Sequence, residues 1–325
     1  MADRKIVVTG AFPDATADRL RQRGFALARL PGDADEEAVS VELDGAWGLV
    51  HGGTSFLTAK LWERHPDLAA VCVMATGYRS FIEPPAAPGA TRFTYTPHAN
   101  ASAVAEFALA QALDLVRGVT RGAAGTARGE WIEEATGSLT GATLGVVGMG
   151  HVGQRLAAMA HAAFGTRVVY WNRSDRPELA ALPHERKATL IEVFASSDVV
   201  SLHVDLVPGV TEGLIGAEHL DALGRGFLVN TARATVVDPE ALRAALAAGR
   251  LGGAAIDGYY REPAPAPDDD PFGLLAFVPD RLLVTGHNAY HTHQALRTMA
   301  EMAEANLTAV ADGEPVPYAV PGLEG

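Results

Sequence analysis

Short β-branched runs alternate with Ala/Leu-rich stretches along this chain, the pattern of a parallel α/β architecture. Early on, residues 6–9, 49–51 and 71–74 predict strands, with helices at 15–24 and 58–63 between them. The stretch 83–89 holds too many prolines for a regular helix, because each fixes φ and removes a donor. Apolar positions at helical spacing then run from 102 to 116, with Ser102 as the predicted N-cap. Six further strand-like runs follow at 144–147, 168–171, 199–203, 227–230, 254–257 and 282–285. Separated by helical stretches, they predict a doubly wound sheet of dinucleotide-binding type. The segment 263–271 reads as a rigid, acidic surface loop, residues 292–311 as a closing helix, and the tail after Gly313 as irregular.

Composition bounds what such a chain can do. Its 325 residues suggest about two domains. The 48% hydrophobic content is enough for two buried cores. No apolar run nears the ~18 residues that span a bilayer, so no membrane partner is expected. MADRK passes directly into a strand-like IVVTG, with no signal-peptide core. The net charge of −13 argues against a nucleic-acid partner, which requires a basic stripe. It also repels anions at long range, so an acid substrate has to be held by local cations. The single cysteine, Cys72, excludes an internal disulfide framework and fits a reducing cytoplasm. Between Val71 and Val73 it reads as a buried core thiol.

Candidate chemistry begins at Gly148-Met149-Gly150-His151-Val152-Gly153, a GxGxxG pattern with a strand before it and a helix after it. Gly148 permits the tight turn, Gly150 lets backbone approach a pyrophosphate, and Gly153 allows the helix to pack on the strand. The helix N-terminus then offers N–H donors to the phosphates. The next strand should end in an acid if NAD is preferred, since that carboxylate binds the ribose hydroxyls. Asn172-Arg173-Ser174 stands there instead. A guanidinium can pair with a 2′-phosphate, so NADP(H) is the favoured cofactor, with NAD(H) possible.

Three further residues close later strand-like runs. Arg233 follows the strand at 227–230, Glu262 the strand at 254–257, and His287 the strand at 282–285. Ligands of open α/β sheets sit at such carboxyl ends. A guanidinium suits a bidentate carboxylate and stabilises charge developing on a ketone oxygen. An imidazole donates the proton, and a neighbouring carboxylate favours its charged form. Together the three are what reduction of a 2-keto acid by a nicotinamide cofactor requires. No metal ligands are assigned.

The segments SAVAEFALA, TLGVVGMGHVG, NTARATVVD, AAIDGYYREP and TGHNAYHT make the chain resemble the D-isomer-specific 2-hydroxyacid dehydrogenase family over nearly its full length. HNAYHTHQALRTM is similar to the D-lactate dehydrogenase branch. The resemblance implies two Rossmann-like or flavodoxin-like α/β domains with a cleft between them: 1–101 plus 291–325 for substrate, 102–290 for the dinucleotide. It implies Arg233 for substrate binding, Glu262 as the His partner and His287 as acid/base. Asp257 would meet the nicotinamide carboxamide, and His203, Thr231 and the adjoining Ala232 would line the cofactor site. A homodimer through the cofactor domain is expected.

This chain departs from the family in places. Gly286 replaces the usual proline before the catalytic His, which should loosen that loop. Tyr260 stands where an acid is common. The loop 74–79 puts Tyr78 where glycine is expected, so backbone N–H groups around Gly77 and Tyr78 are assigned to the substrate carboxylate. Arg79, His98, Phe81 and Tyr290 are assigned to the pocket wall, hinting at a substrate larger or more anionic than lactate. Two alternatives stay open: a nucleotide-sensing binding protein like the family's corepressors, and a formate- or phosphite-type dehydrogenase. A formate enzyme would carry Gln where Glu262 stands.

Overall fold

A computed structural model describes residues 4–87, 89–207 and 209–323. Met1, Ala2 and Asp3 of the MADRK segment and Pro88 of the proline-rich stretch lie outside the described residues. The chain divides into two compact units, Met1–Asn100 with His291–Gly325, and Ala101–Tyr290.

In the first unit, β1 (Arg4–Gly10), β2 (Phe25–Leu30), β3 (Gly48–Gly52), β4 (Ala70–Val73) and β5 (Arg92–Tyr95) form a parallel sheet in the order β2-β1-β3-β4-β5. Helices α1 (Asp14–Gln22), α2 (Glu36–Leu43) and α3 (Ala59–Arg64) connect them. Three of these elements escape the hydrophobic pattern: β2 and β5 mix apolar with polar residues, and α2 carries β-branched Val39 and Val41. The α2 helix starts because the Asp35 side chain accepts the Ala38 N–H at 2.8 Å. Cys72 is fully buried, as its neighbours imply, and burial pushes its thiol up to about 11.

The second unit opens with α4 (Ala101–Arg117), followed by α5 (Val119–Ala127). Ser102 lies inside the first turn of α4 rather than capping it, because the helix already begins at Ala101. Seven parallel strands follow: β6 (Thr143–Val147), β7 (Arg167–Trp171), β8 (Glu185–Arg186), β9 (Val199–Leu202), β10 (Phe227–Asn230), β11 (Gly253–Asp257) and β12 (Leu282–Thr285). Their order is β12-β11-β10-β9-β6-β7-β8. Six coincide with the apolar runs; β8 is two exposed residues and leaves no apolar signature. Helices α6 (His151–Phe164), α7 (Leu190–Ala195), α8 (Ala217–Leu223) and α9 (Pro239–Ala247) complete the unit. The chain steps outward from β6 to β8 and then returns to β9 on the other side of β6. The carboxyl ends of β6 and β9 therefore flank the point where strand order reverses, the place where such sheets bind ligands.

The chain ends in α10 (His293–Asp312), capped by the Thr292 hydroxyl, which accepts the Ala295 N–H at 3.1 Å. Its face of Met299, Ala300, Ala303 and Leu307 is buried, and it packs on β4, β5 and α1 of the first unit. Past Gly313 the tail is irregular, yet Val320 and Leu323 enter that unit's core. No helix among the described residues is long and apolar enough to cross a membrane.

Candidate active site

The glycine turn between β6 and α6 shows three different steric needs. A Cβ on Gly148, whose φ is +94°, would lie 2.5 Å from the His203 carbonyl oxygen. At Gly153 it would lie 2.4 Å from the Gly148 carbonyl oxygen and 2.9 Å from Val146, so only glycine lets α6 sit this close to β6. At Gly150, the residue before His151 and Val152 open α6, nothing lies within 4 Å. That open space beside a helix N-terminus is a cradle a side chain would fill and a phosphate fits.

Strand β7 delivers Asn172 next to this turn. Its Oδ1 accepts the Met149 N–H at 2.6 Å, while its buried Nδ2 has no partner among the described residues. A buried donor without an acceptor is costly, and a ligand oxygen would satisfy it. Arg173 and Ser174 are exposed, and Arg173 makes no ion pair or hydrogen bond with any described residue. Arg176, which no sequence motif marks, donates to the Met149 carbonyl at 3.3 Å and pairs with Glu178 at 2.7 Å. The carboxyl end of β7 thus presents an amide at Asn172 and an exposed guanidinium at Arg173.

Across the reversal point, His203 follows β9. Its ring is hydrogen-bonded to Ser201 Oγ at 2.9 Å and contacts Thr231 Oγ1 at 3.4 Å. Burial pushes its pKa down to about 4, so it stays neutral near pH 7.

Arg233, Glu262 and His287 follow the next three strands. Pairing sets Asn230 beside Ile256 and Asp257 beside Thr285, so β10, β11 and β12 end together. After β10, buried Asn230 shapes the loop: its Oδ1 accepts the Ala232 N–H at 3.0 Å and its Nδ2 donates to the Arg233 carbonyl at 2.9 Å. Arg233 is half-buried; burial lowers its pKa, opposed by the carboxylates of Glu262, Asp205 and Asp257. Guanidinium remains charged in proteins, so a half-buried cation sits in the field of these acids.

After β11, Gly258 turns the chain at φ +92°. A Cβ there would meet Glu262 Oε1 at 2.4 Å, so the carboxylate occupies the space a side chain would take. Glu262 accepts the Tyr259 N–H at 3.1 Å and engages His287 Nδ1 with both oxygens, at 3.1 and 3.0 Å. With Nδ1–H committed to Glu262, Nε2 is the nitrogen left to exchange a proton with a substrate.

His287 itself has φ +54°, a conformation disfavoured by roughly 1–2 kcal/mol for a residue with a Cβ. Its loop is nevertheless pinned. The Asp257 carboxylate accepts the Thr285 hydroxyl at 2.6 Å and the N–H groups of Asn288 and Ala289 at 3.0 and 2.8 Å. Buried Gln111 of α4 donates to Thr285 Oγ1 at 3.5 Å. Beside the freedom of Gly286, Asp257 holds the loop from both sides of His287. Tyr290 stands edge-on to the His287 ring, with centroids 6.4 Å apart. Tyr260 is half-buried and its hydroxyl donates to the Val237 carbonyl at 2.9 Å, a packing role in place of the usual acid.

In the first unit, Gly77, Tyr78 and Arg79 share a short 3₁₀ turn region. The Tyr78 ring is buried edge-on against Tyr95, with centroids 5.3 Å apart. Arg79 is exposed and its guanidinium lies 5.3 Å from the Tyr78 ring centre. His98 is exposed at φ +61°. Among the described residues no three His, Cys, Asp or Glu could hold a metal ion.

Residues 109–289 match the family model for the D-isomer specific 2-hydroxyacid dehydrogenase, NAD binding domain. The D-3-phosphoglycerate dehydrogenase of Haemophilus influenzae is 35% identical over 90% of this chain and 70% of its own length. The glyoxylate reductase of Thermococcus litoralis is 31% identical over 82% and 81%. Among solved structures, the TT0316 protein of Thermus thermophilus superposes with a TM-score of 0.82 at 33% identity, covering 97% of this chain and 99% of that one. The chain belongs to the D-isomer specific 2-hydroxyacid dehydrogenases, NAD(P)-dependent enzymes that interconvert 2-keto acids and D-2-hydroxy acids.

Proposed function

We propose that this enzyme reduces a small 2-keto acid with NADPH as the preferred donor, using Arg233, Glu262 and His287. The observation that carries this reading is the two-oxygen contact of Glu262 with His287 Nδ1, which leaves Nε2 to serve the substrate. Arg233 holds the substrate carboxylate and stabilises charge as it develops on the ketone oxygen. His287 delivers a proton from Nε2 to that oxygen, while Glu262 holds the ring in one tautomer and stabilises its positive charge. The bound nicotinamide supplies the hydride.

Gly148, Gly150, Gly153 and the first turn of α6 hold the pyrophosphate, with Asn172, Arg173 and Ser174 at the adenosine ribose. Arg173 is the residue that would pair with a 2′-phosphate, and its lack of any described partner supports that role. His203, Thr231 and Ala232 line the cofactor site. The names of the relatives direct attention to glyoxylate and to phosphorylated three-carbon acids as substrates. Residues 1–101 with 291–325 are assigned to the substrate and 102–290 to the cofactor. In the first of these, Gly77, Tyr78, Arg79 and His98 are the residues assigned to selectivity, and Tyr290 in the second.

A cytoplasmic homodimer belongs to the same reading. Its support is the apolar surface left by Trp131, Val119 and Ile132, which are 83%, 63% and 36% exposed.

Loss of NADPH absorbance across a panel of 2-keto acids tests the function. Turnover of at least one acid is expected, abolished by His287→Ala with cofactor affinity near wild type. Tight NADPH binding with no turnover of any acid would instead make the protein a nucleotide sensor. Formate and phosphite with NADP⁺ are expected to give no rate.

A further inference from the structure

Beyond Glu262 the chain runs through Pro263, Pro265 and Pro267 to Asp270, mostly exposed, yet this stretch is tied at both ends. The buried Tyr259 donates its hydroxyl to Asp270 Oδ2 at 2.7 Å. Asp270 also accepts the Phe272 N–H on Oδ1 at 3.1 Å and the Leu275 N–H on Oδ2 at 2.9 Å. Around the phenol, the Tyr260 and Phe272 rings pack edge-on to Tyr259 at 5.5 and 6.5 Å. The backbone N–H of this same tyrosine is the one that donates to Glu262 Oε1.

The residue before it, Gly258, is the most permissive residue the chain could place there, so it does not fix the peptide plane that carries this N–H. The Gly258 N–H is held by the Thr285 carbonyl at 2.9 Å, and on the far side of the peptide the Tyr259 side chain is fastened by Asp270. Burial alone would push the Asp270 carboxyl up, but the N–H groups of Leu275 and Phe272 and the Tyr259 hydroxyl outweigh it and hold it below the usual range. Asp270 is thus a charged acceptor at neutral pH, the stronger kind of anchor for a phenol.

We propose, resting on the assignment of Glu262 and His287 to acid–base chemistry, that Asp270 is a positioning residue: through the Tyr259 hydroxyl it aims the Tyr259 N–H at Glu262 and so sets the carboxylate against His287. Asp270 touches no reacting atom. It acts at one remove, and the effect is on the rate of proton delivery rather than on ligand affinity.

The test compares Tyr259→Phe, Asp270→Ala and Asp270→Asn with the intact enzyme. Phe keeps the ring and loses the bond; Asn keeps an acceptor for the phenol. Tyr259→Phe and Asp270→Ala should lower kcat about ten-fold, the scale expected of a small misplacement in a catalytic group. The dissociation constant of NADPH should not change, and Asp270→Asn should recover most of the rate. In both impaired variants the imidazole signal of His287 should shift, as it should when Glu262 is replaced by Gln. Added to Glu262→Gln, Asp270→Ala should cost nothing further. A merely structural role would lower Tm and leave kcat and the His287 signal in place, and that result overturns the proposal. If Asp270→Ala fails to fold, Tyr259→Phe decides alone.

The imidazole ¹⁵N–¹H signal of His287 reports its bond to Glu262 without turnover. A wild-type enzyme inactive on every acid defeats the functional reading. An unperturbed His287 signal in Tyr259→Phe defeats the role of Asp270 independently.

Discussion

Replacing Gly258 with alanine tests the geometry of the dyad at its tightest point. The new methyl would start 2.4 Å from Glu262 Oε1, while the nearest His287 atoms lie at an ordinary 3.5 Å. Relieving the clash to normal contact moves the carboxylate by about 1 Å and leaves His287 in place. The dyad distances of 3.0 and 3.1 Å then approach ~4 Å, beyond hydrogen-bond reach. Hydrogen bonds to charged groups contribute roughly 1.5–3 kcal/mol, so kcat should fall about 10- to 100-fold. Forcing a residue with a Cβ to φ +92° destabilises the protein by a further ~1–2 kcal/mol, readable as a drop of a few degrees in Tm. Steady-state kinetics with saturating NADPH, alongside NADPH fluorescence titration and thermal unfolding, separate the two effects. Cofactor affinity should stay within twofold of wild type. A folded Gly258→Ala enzyme with wild-type kcat would refute the idea that this glycine exists to seat Glu262.

Three other outcomes follow from the same geometry. Glu262→Gln removes the anion paired with His287 Nδ1, so kcat should fall about 10- to 100-fold with NADPH affinity unchanged, and a wild-type kcat refutes the pairing. Arg173→Asp should turn the kcat/KM ratio for NADPH over NADH downward by about 10- to 100-fold, the scale of one charge-assisted hydrogen bond; an unchanged ratio, or an original preference for NADH, removes Arg173 from the cofactor site. Trp131→Asp should convert a dimer to monomers in light scattering, and a variant that keeps the wild-type mass dissociates this surface from assembly.

Much of the second unit is legible in the sequence because its strands are buried on both faces. The six apolar runs become β6, β7, β9, β10, β11 and β12, and their parallel register carries Arg233, Glu262 and His287 to adjacent strand ends. The GxGxxG spacing likewise announces its three steric roles. Periodicity says less about what holds those residues. Asn230 reads as the polar end of an apolar strand, Thr285 as a β-branched strand residue, and Gly258 as one of 34 glycines. Their functions are contacts across loops, which only the folded chain brings together. Tyr78 is a further case: its place in the loop says nothing of its ring, which packs edge-on against Tyr95. The edge elements β2, β5 and β8 are short or half-exposed, and their tertiary neighbours determine them more than their own pattern does.

Helix α10 has a consequence for how the protein is made. The five strands of the first unit are all synthesised within the first hundred residues, but the helix that covers β4 and β5 comes some 190 residues later. Arg19 clamps Glu304 at 2.6 Å and Arg23 reaches Asp312 at 2.7 Å, so α1 waits on the same late segment. On a ribosome adding about 5–20 residues per second, that apolar sheet face stays bare for on the order of ten to forty seconds. The contiguous second unit has no such dependence and can close while the first is still open. Translation therefore leaves the first-born half of the molecule to be finished last, and its uncovered sheet is the surface that chaperones, or aggregation, would meet.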